Sequence, residues 1–284
     1  ESNGKYAGLS GVANMTGSFK QAKNVLVVTG SLETGLVPAV NSMGPAYDGR
    51  IRPELTAYGN EGTSGAAAIV SGAAVLIQEH FKSTQGTLPH SDMVRALLIA
   101  GSSDIETPGP DYKSGYGAMN LPRTIKAIDA GWHTKGKLNS ESSTELNIVV
   151  PEKKRRLTVA LVWRDPPANE GDFMALVNDL DLRVSKNGNV WMPWVLDTAP
   201  DLEALLKPAT YGEDHLNTVE VVTIENVGEG TYAVQVSANA MATAQEFSLA
   251  YYLEDEEEFK WLFPTGSDAL LAGTETYFYW ENNY

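Results

Sequence analysis

The sequence has 284 residues, 43% apolar and 20% charged, with 26 glycines and 14 prolines, the make-up of a globular protein long enough for two domains at roughly 100–200 residues each. Its 21 Lys and Arg against 36 Asp and Glu leave a net charge of −15, which repels phosphate backbones and anionic headgroups, so nucleic acid is not an expected partner. The lack of cysteine excludes disulfides, thiolate nucleophiles and thiolate metal sites.

KNVLVVTGS (23–31) reads as a short buried strand closed by Gly30 and Ser31. After a loop over Ala57–Gly62, the run Thr63–Lys82 carries small and apolar residues on every face for about three turns. A helix apolar all round is a buried one, so it is expected to cross the protein centre and surface at its C-terminal end. Its longest apolar stretch, Ala66–Ile77, is interrupted by Ser71 and Gly72 and is too short for a membrane span of about 20 residues. Further helices are predicted over Ser91–Ala100, with Ser91 as N-cap, and over Pro122–Ala130, stopped by Gly131. Strand and helix alternation points to an α/β layer.

Beyond Gly131 the texture changes. TELNIVVP, RRLTVALVW, LDLRVS, TVEVVTIEN, GTYAVQVSA and FSLAYYL are alternating segments separated by turn residues, and they predict an antiparallel sandwich. The expected boundaries are 1–135 for the α/β part, 136–253 for the sandwich, and 254–284 for an acidic linker followed by the start of a further β module. Glu254–Glu258 reads as a solvated charge run, and 259–280 as two strands with a turn.

The informative segment is Gly62-Thr63-Ser64-Gly65-Ala66-Ala67-Ala68-Ile69-Val70-Ser71-Gly72. A serine between a glycine-containing loop and a buried helix lies where free N–H groups and the helix dipole can stabilise an oxyanion. The same serine can simply cap the helix, which is the commoner use. Asp179 and Asp181 alternate with Leu180 and Leu182 in NDLDLRV, which puts both carboxylates on the face away from the core, either solvated or as oxygen ligands suited to Ca²⁺. Trp163, Trp191 and Trp194 read as core or inter-domain packing, with a carbohydrate platform as the other reading.

The serine segment resembles the subtilisin-like serine proteases, whose nucleophile opens a central helix in a Gly-Thr-Ser-x-Ala-x-x-x-Val-x-Gly pattern. Asn41-Ser42-Met43-Gly44-Pro45 and Asp48-Gly49-Arg50-Ile51-Arg52-Pro53-Glu54-Leu55 are similar to a second segment of that family. LVWRDPPA (161–168), LVNDLDLRV (176–184), residues 217–238 and FSLAYY (247–252) resemble the sandwich appended to its alkaline bacterial branch. Gly65 and Ala68 stand where family members usually have Met and Pro.

The resemblance implies a partial, doubly wound parallel sheet around a central helix, followed by an all-β, jelly-roll-like sandwich. It implies a secreted serine endopeptidase acting on protein or peptide substrates, with Ser64 as nucleophile, Thr63 and Gly62 supporting the oxyanion side, no cofactor for catalysis and a structural Ca²⁺ at Asp179 and Asp181.

A subtilisin triad runs Asp, His, Ser along the chain, yet residues 1–63 hold no histidine, and their one Asp, Asp48, lies in the second motif. His80, sixteen residues along the same predicted helix, would be ~24 Å from Ser64, far beyond hydrogen-bond reach. His90, His133 and His215 fall where the family has helix connections and the sandwich, and read as surface or packing residues. Asn3 and Asn14 are poorly placed for the family's oxyanion asparagine.

The chain is therefore expected to be the C-terminal part of a subtilase, inactive alone. The apolar helix Thr63–Ile77 is then expected to be covered by the N-terminal catalytic half or by a second copy of the chain. The rival reading is a non-catalytic protein with the sandwich as a recognition module.

Overall fold

A computed structural model describes residues 4–15, 17–140, 142–256 and 259–282. Asn3, Glu257 and Glu258 lie outside them. The structure mixes helices with sheets, the larger of which are antiparallel.

After a short helix α1 (Ser18–Gln21), two strands, β1 (Val28–Ser31) and β2 (Leu55–Tyr58), pair in parallel with Ser31 opposite Tyr58. The first strand is shorter than the pattern predicts. Lys23 and Asn24 instead direct their side chains to Asp165, and the Val27 carbonyl accepts the N–H groups of Glu54 and Leu55 at 2.8 and 3.3 Å. This pair is what the described residues contain of a doubly wound sheet.

Three helices follow: α2 (Thr63–Gln85), α3 (Ser91–Ala100) and α4 (Leu121–Asp129). Helix α2 ends at Gly86, whose φ of 77° is the left-handed cap that glycine adopts without Cβ strain. His90, not Ser91, is the N-cap of α3. Helix α4 starts one residue earlier than predicted, at Leu121, because the Asn120 side chain caps it by accepting the Arg123 N–H.

The expectation of all-round burial for α2 is not met. Ala66, Val70, Ala73, Ile77 and Phe81, at spacings of three and four, form one buried stripe, while Ile69, Val75 and Leu76 are exposed. Among the described helices, α3, packed on the sheet through β12 and β5, is the one buried along nearly its whole length.

The second half contains β3 (His133–Leu138), β4 (Ser143–Val150), β5 (Lys154–Trp163), β6 (Asp179–Lys186), β7 (Asn189–Trp191) and β8 (Trp194–Val195). A short helix α5 (Leu202–Leu205) precedes β9 (Thr210–Tyr211), β10 (Val219–Glu225), β11 (Gly230–Ala240) and β12 (Gln245–Asp255). Two four-stranded sheets, ordered β10-β5-β12-β3 and β4-β11-β6-β7, share one core. Strand β5 shows why both its faces are apolar. Leu157, Val159, Leu161 and Trp163 enter that core, whereas Ala160 and Val162 turn the other way, into the core built by the helices. Each leucine or valine among them, fully withdrawn from water, contributes roughly 1.5–3 kcal/mol. A hairpin of β13 (Phe259–Phe263) and β14 (Tyr279–Asn282) follows.

Glu254 is not solvated as the charge run suggests. It is buried between α4 and β5, accepting from Arg155 at 2.8 Å and from Arg123. Burial alone would raise its carboxyl pKa, but the guanidiniums of Arg155, Arg123 and Arg156 together outweigh it and hold the group below its usual 4.5. Because the folded-state value is the lower one, this stabilisation is complete above about pH 4.5 and is lost as pH falls through the folded value. Glu254→Gln is expected to lower Tm near neutral pH, with the deficit shrinking in acid. A deficit of equal size in both conditions would assign it to packing instead.

Candidate functional site

Ser64 lies on the first turn of α2, at the carboxyl ends of β1 and β2. Two glycines make that placement possible. Gly62 precedes the helix at φ 75°, ψ −153°, a region that side chains rarely adopt, and a Cβ on Gly59 would stand 2.2 Å from the Gly62 carbonyl oxygen. The turn closes through Gly62 N–H donating to the Gly59 carbonyl at 2.9 Å, and Gly59 N–H donating to Ser31 at 3.2 Å.

The helix begins at Thr63 with Gly62 as N-cap and no side-chain capping bond, so Ser64 does not cap it. The first helical bond runs from Ala66 N–H to the Gly62 carbonyl at 3.2 Å. Among the described residues, the N–H groups of Thr63, Ser64 and Gly65 and the Ser64 hydroxyl have no hydrogen-bond partner. Free N–H groups at the positive end of a helix are what a developing oxyanion needs.

Among the described residues, no histidine is hydrogen-bonded to Ser64. His80 Nε2 is 2.6 Å from Asp129 Oδ1, on the later part of α2. His133 packs on the Phe81 ring at 4.9 Å, and burial lowers its pKa. His90 occupies the N-cap position of α3 without a side-chain capping bond, and His215 Nδ1 is 2.8 Å from Asp179 Oδ2. Asn14 accepts the Met43 N–H at 2.7 Å and thereby fixes the 41–45 loop, while Asn41 donates to the Gly30 carbonyl at 2.7 Å at the end of β1.

The Asp48–Leu55 run is buried and structural. Asp48 pairs with Arg50 at 2.7 Å and accepts the Ala175 N–H at 3.1 Å. Glu54 lies between Arg52, at 3.0 Å, and Arg95, at 2.6 Å. Burial pushes the Arg52 pKa down to about 10 against the pull of Glu54.

The structure places Asp179 and Asp181 on one face of β6, with Leu180 and Leu182 in the core behind them. The carboxylates are roofed by the 213–217 loop. Residues that sequence reasoning did not attach to them converge here: His215, Glu213 and Asn239. Asn239 reaches Asp179 because the β11–β6 ladder bulges between Ala238 and Ala240, turning one extra side chain onto this face. Burial is the largest influence on both aspartates and raises their pKa values. His215 is affected first by burial, which lowers its pKa, but Asp179, Asp181 and Glu213 outweigh this and raise it. Asp214 is buried and accepts from Leu216 and Asn217 N–H groups at 2.9 and 3.1 Å.

Trp163 is fully buried with its indole N–H on the Asn178 carbonyl at 2.9 Å, and Trp194 packs at 4.0 Å on Tyr211, so the three tryptophans make no common exposed platform. Among the described residues, no helix is long and apolar enough to cross a membrane.

Residues 10–117 match the subtilase family. Over 269 residues the chain is 24% identical to the serine protease/ABC transporter B family protein tagA of Dictyostelium discoideum, covering 75% of this chain and 15% of that protein. Among solved structures, the patellamide maturation protease PatA is 22% identical, covering 39% of this chain and 45% of its own with a TM-score of 0.33. The prenylagaramide maturation protease PagA is also 22% identical, covering 38% of this chain and 43% of its own with a TM-score of 0.32. The segment that matches the subtilase family, residues 10–117, contains both Ser64 and the buried Asp48–Leu55 run.

Proposed function

We propose that this chain supplies the nucleophile of a subtilisin-type serine endopeptidase, with its general base coming from polypeptide outside these 284 residues. The observation that carries the proposal is the exposed Ser64 hydroxyl beside the unpartnered N–H groups of Thr63, Ser64 and Gly65. Attack of Oγ on a peptide carbonyl would move charge onto the carbonyl oxygen, where those N–H groups and the helix dipole lower its energy. The Oγ proton must pass to a base, and all four histidines of the chain are placed elsewhere. The chain spans 15% of its Dictyostelium relative, so at least one sequence relative carries much more polypeptide than this.

A fluorophosphonate probe tests the assignment. The isolated chain should remain unlabelled, while the active protein should carry the label on the tryptic peptide 51–82, which contains Ser64. The misplaced histidines also favour a second reading, in which the α/β half only supports a binding module. Under that reading Ser64 stays unlabelled in every preparation.

The bare face of α2 fits the first reading. Ile69, Val75 and Leu76 are exposed on the same helix as the nucleophile, with Ile69 and Leu76 seven residues apart on one face. The polypeptide that brings the base is proposed to lie on it. Val75→Glu with Leu76→Glu is expected to abolish association while leaving Tm nearly unchanged. A purified parent chain that is monomeric and binds no hydrophobic dye would remove this part of the proposal.

A further inference from the structure

The geometry points to a binding site for a divalent transition ion of the zinc class, formed by Asp179, Asp181 and His215 at the mouth between β6, the bulge of β11 and the 213–217 loop. A donor atom from each of the three residues lies within 4.8 Å of the others. His215 Nδ1 is 2.8 Å from Asp179 Oδ2 and 3.9 Å from Asp181 Oδ1. Ligand atoms around a tetrahedral zinc at ~2.0–2.1 Å stand ~3.3 Å apart, a value these two distances bracket, so an ion could enter with side-chain shifts of about half an ångström.

Two observations within the cluster favour a bound cation. The Asp179 side chain is 9% exposed, and its Oδ1 is buried without a hydrogen-bond partner, as is Asp181 Oδ1. Buried carboxylate oxygens left unpaired are costly. Second, Nδ1 of His215 faces both the Asp179 carboxylate and, at 3.0 Å, the Asn239 amide nitrogen. That ring nitrogen can donate to the first or accept from the second, but not both. A cation at the centre resolves the conflict. Nδ1 gives it a lone pair, both aspartates give it oxygens, and the Asn239 amide, rotated about its last bond, presents its carbonyl. His215 Nε2 faces Glu213, whose Oε2 is 3.7 Å away and whose Oε1 accepts from Arg183, and a carboxylate on that side of the ring orients a metal-bound imidazole.

The donor set does not suit the calcium that the family resemblance implies. Calcium takes six to eight oxygens, whereas imidazole with carboxylates suits zinc and its neighbours. The bound ion would tie strand β6 to the loop that leads into β10.

The test uses the whole 284-residue chain after dialysis against chelator. Calorimetric titration with Zn²⁺ is expected to show one tight site, Co²⁺ to give visible absorption bands, and either ion to raise Tm. His215→Ala and, separately, Asp181→Asn should remove that site and the Tm gain. His215 is half exposed and Asp181 faces away from the core, so both variants are expected to fold, with circular dichroism as the check. The proposal is overturned if Ca²⁺ raises Tm in both the parent chain and His215→Ala while Zn²⁺ does not, because the site is then an oxygen cage. It is equally overturned if Zn²⁺ binding survives both substitutions, or if neither ion binds.

Discussion

If the proposed function holds, replacing Ser64 by Ala is expected to lower kcat of the active protein on peptide substrates by on the order of 10⁶-fold with little change in KM, because loss of a nucleophile removes covalent chemistry and leaves substrate binding. The structure makes this substitution clean. The Ser64 side chain is exposed and unbonded among the described residues, and it lies within a helix that favours alanine. Tm should therefore stay level or rise slightly while turnover disappears. Hydrolysis within tenfold of the parent would show that Ser64 is not the nucleophile, and the free N–H groups of the first turn would then need another explanation.

How this serine reads in the sequence depends on its local run. Gly-Thr-Ser followed by small residues announces a helix N-terminus at close quarters with neighbouring backbone, and Gly59 and Gly62 supply it. Local sequence cannot distinguish a capping serine from a free one, because the difference is whether the helix starts before or after it. Here it starts at Thr63, and the cap position falls to a glycine without a side chain. The metal cluster shows the opposite limit. Asp179 and Asp181 are visible as an alternating pair, but His215 and Asn239 are brought to them by a loop return and a β-bulge. Neither feature has a periodic signature.

The fold divides in the same way. Alternation locates the strands of the second half closely, as in β5, β10, β11 and β12, because period-two patterning comes from which face is buried. It does not reveal that the β10-β5-β12-β3 sheet is covered on both sides, with Ala160, Val162, Val221 and Ala250 facing the helices. In α2 the apolar content is read correctly, but burial depends on what packs around the helix. Within the described residues only the Ala66–Phe81 stripe is buried.

Lys23→Met is expected to destabilise the chain by about 3–5 kcal/mol, the cost of leaving a buried charge without its partner. Lys23 and Asp165 are both nearly inaccessible, and they join the stretch before β1 to the turn after β5. The ammonium group donates to the Asp165 carboxylate and to the carbonyls of Pro166 and Ala175, so its three protons are all placed. Asp165 in turn accepts the Val177 and Asn178 N–H groups at 2.9 and 2.7 Å. Methionine keeps the length of the stem but leaves one carboxylate and two carbonyls without that donor. Asp165→Asn should cost a similar amount, because it strands the ammonium instead. The double variant should cost less than the sum of the singles, since neither charge remains to be stranded. Denaturant unfolding followed by tryptophan fluorescence measures all three variants. Losses below about 1 kcal/mol for the single variants would mean that water reaches the pair and that it behaves as a surface ion pair. The interface between the α/β half and the sheets would then rest on apolar contacts such as those of α3 with β12 and β5.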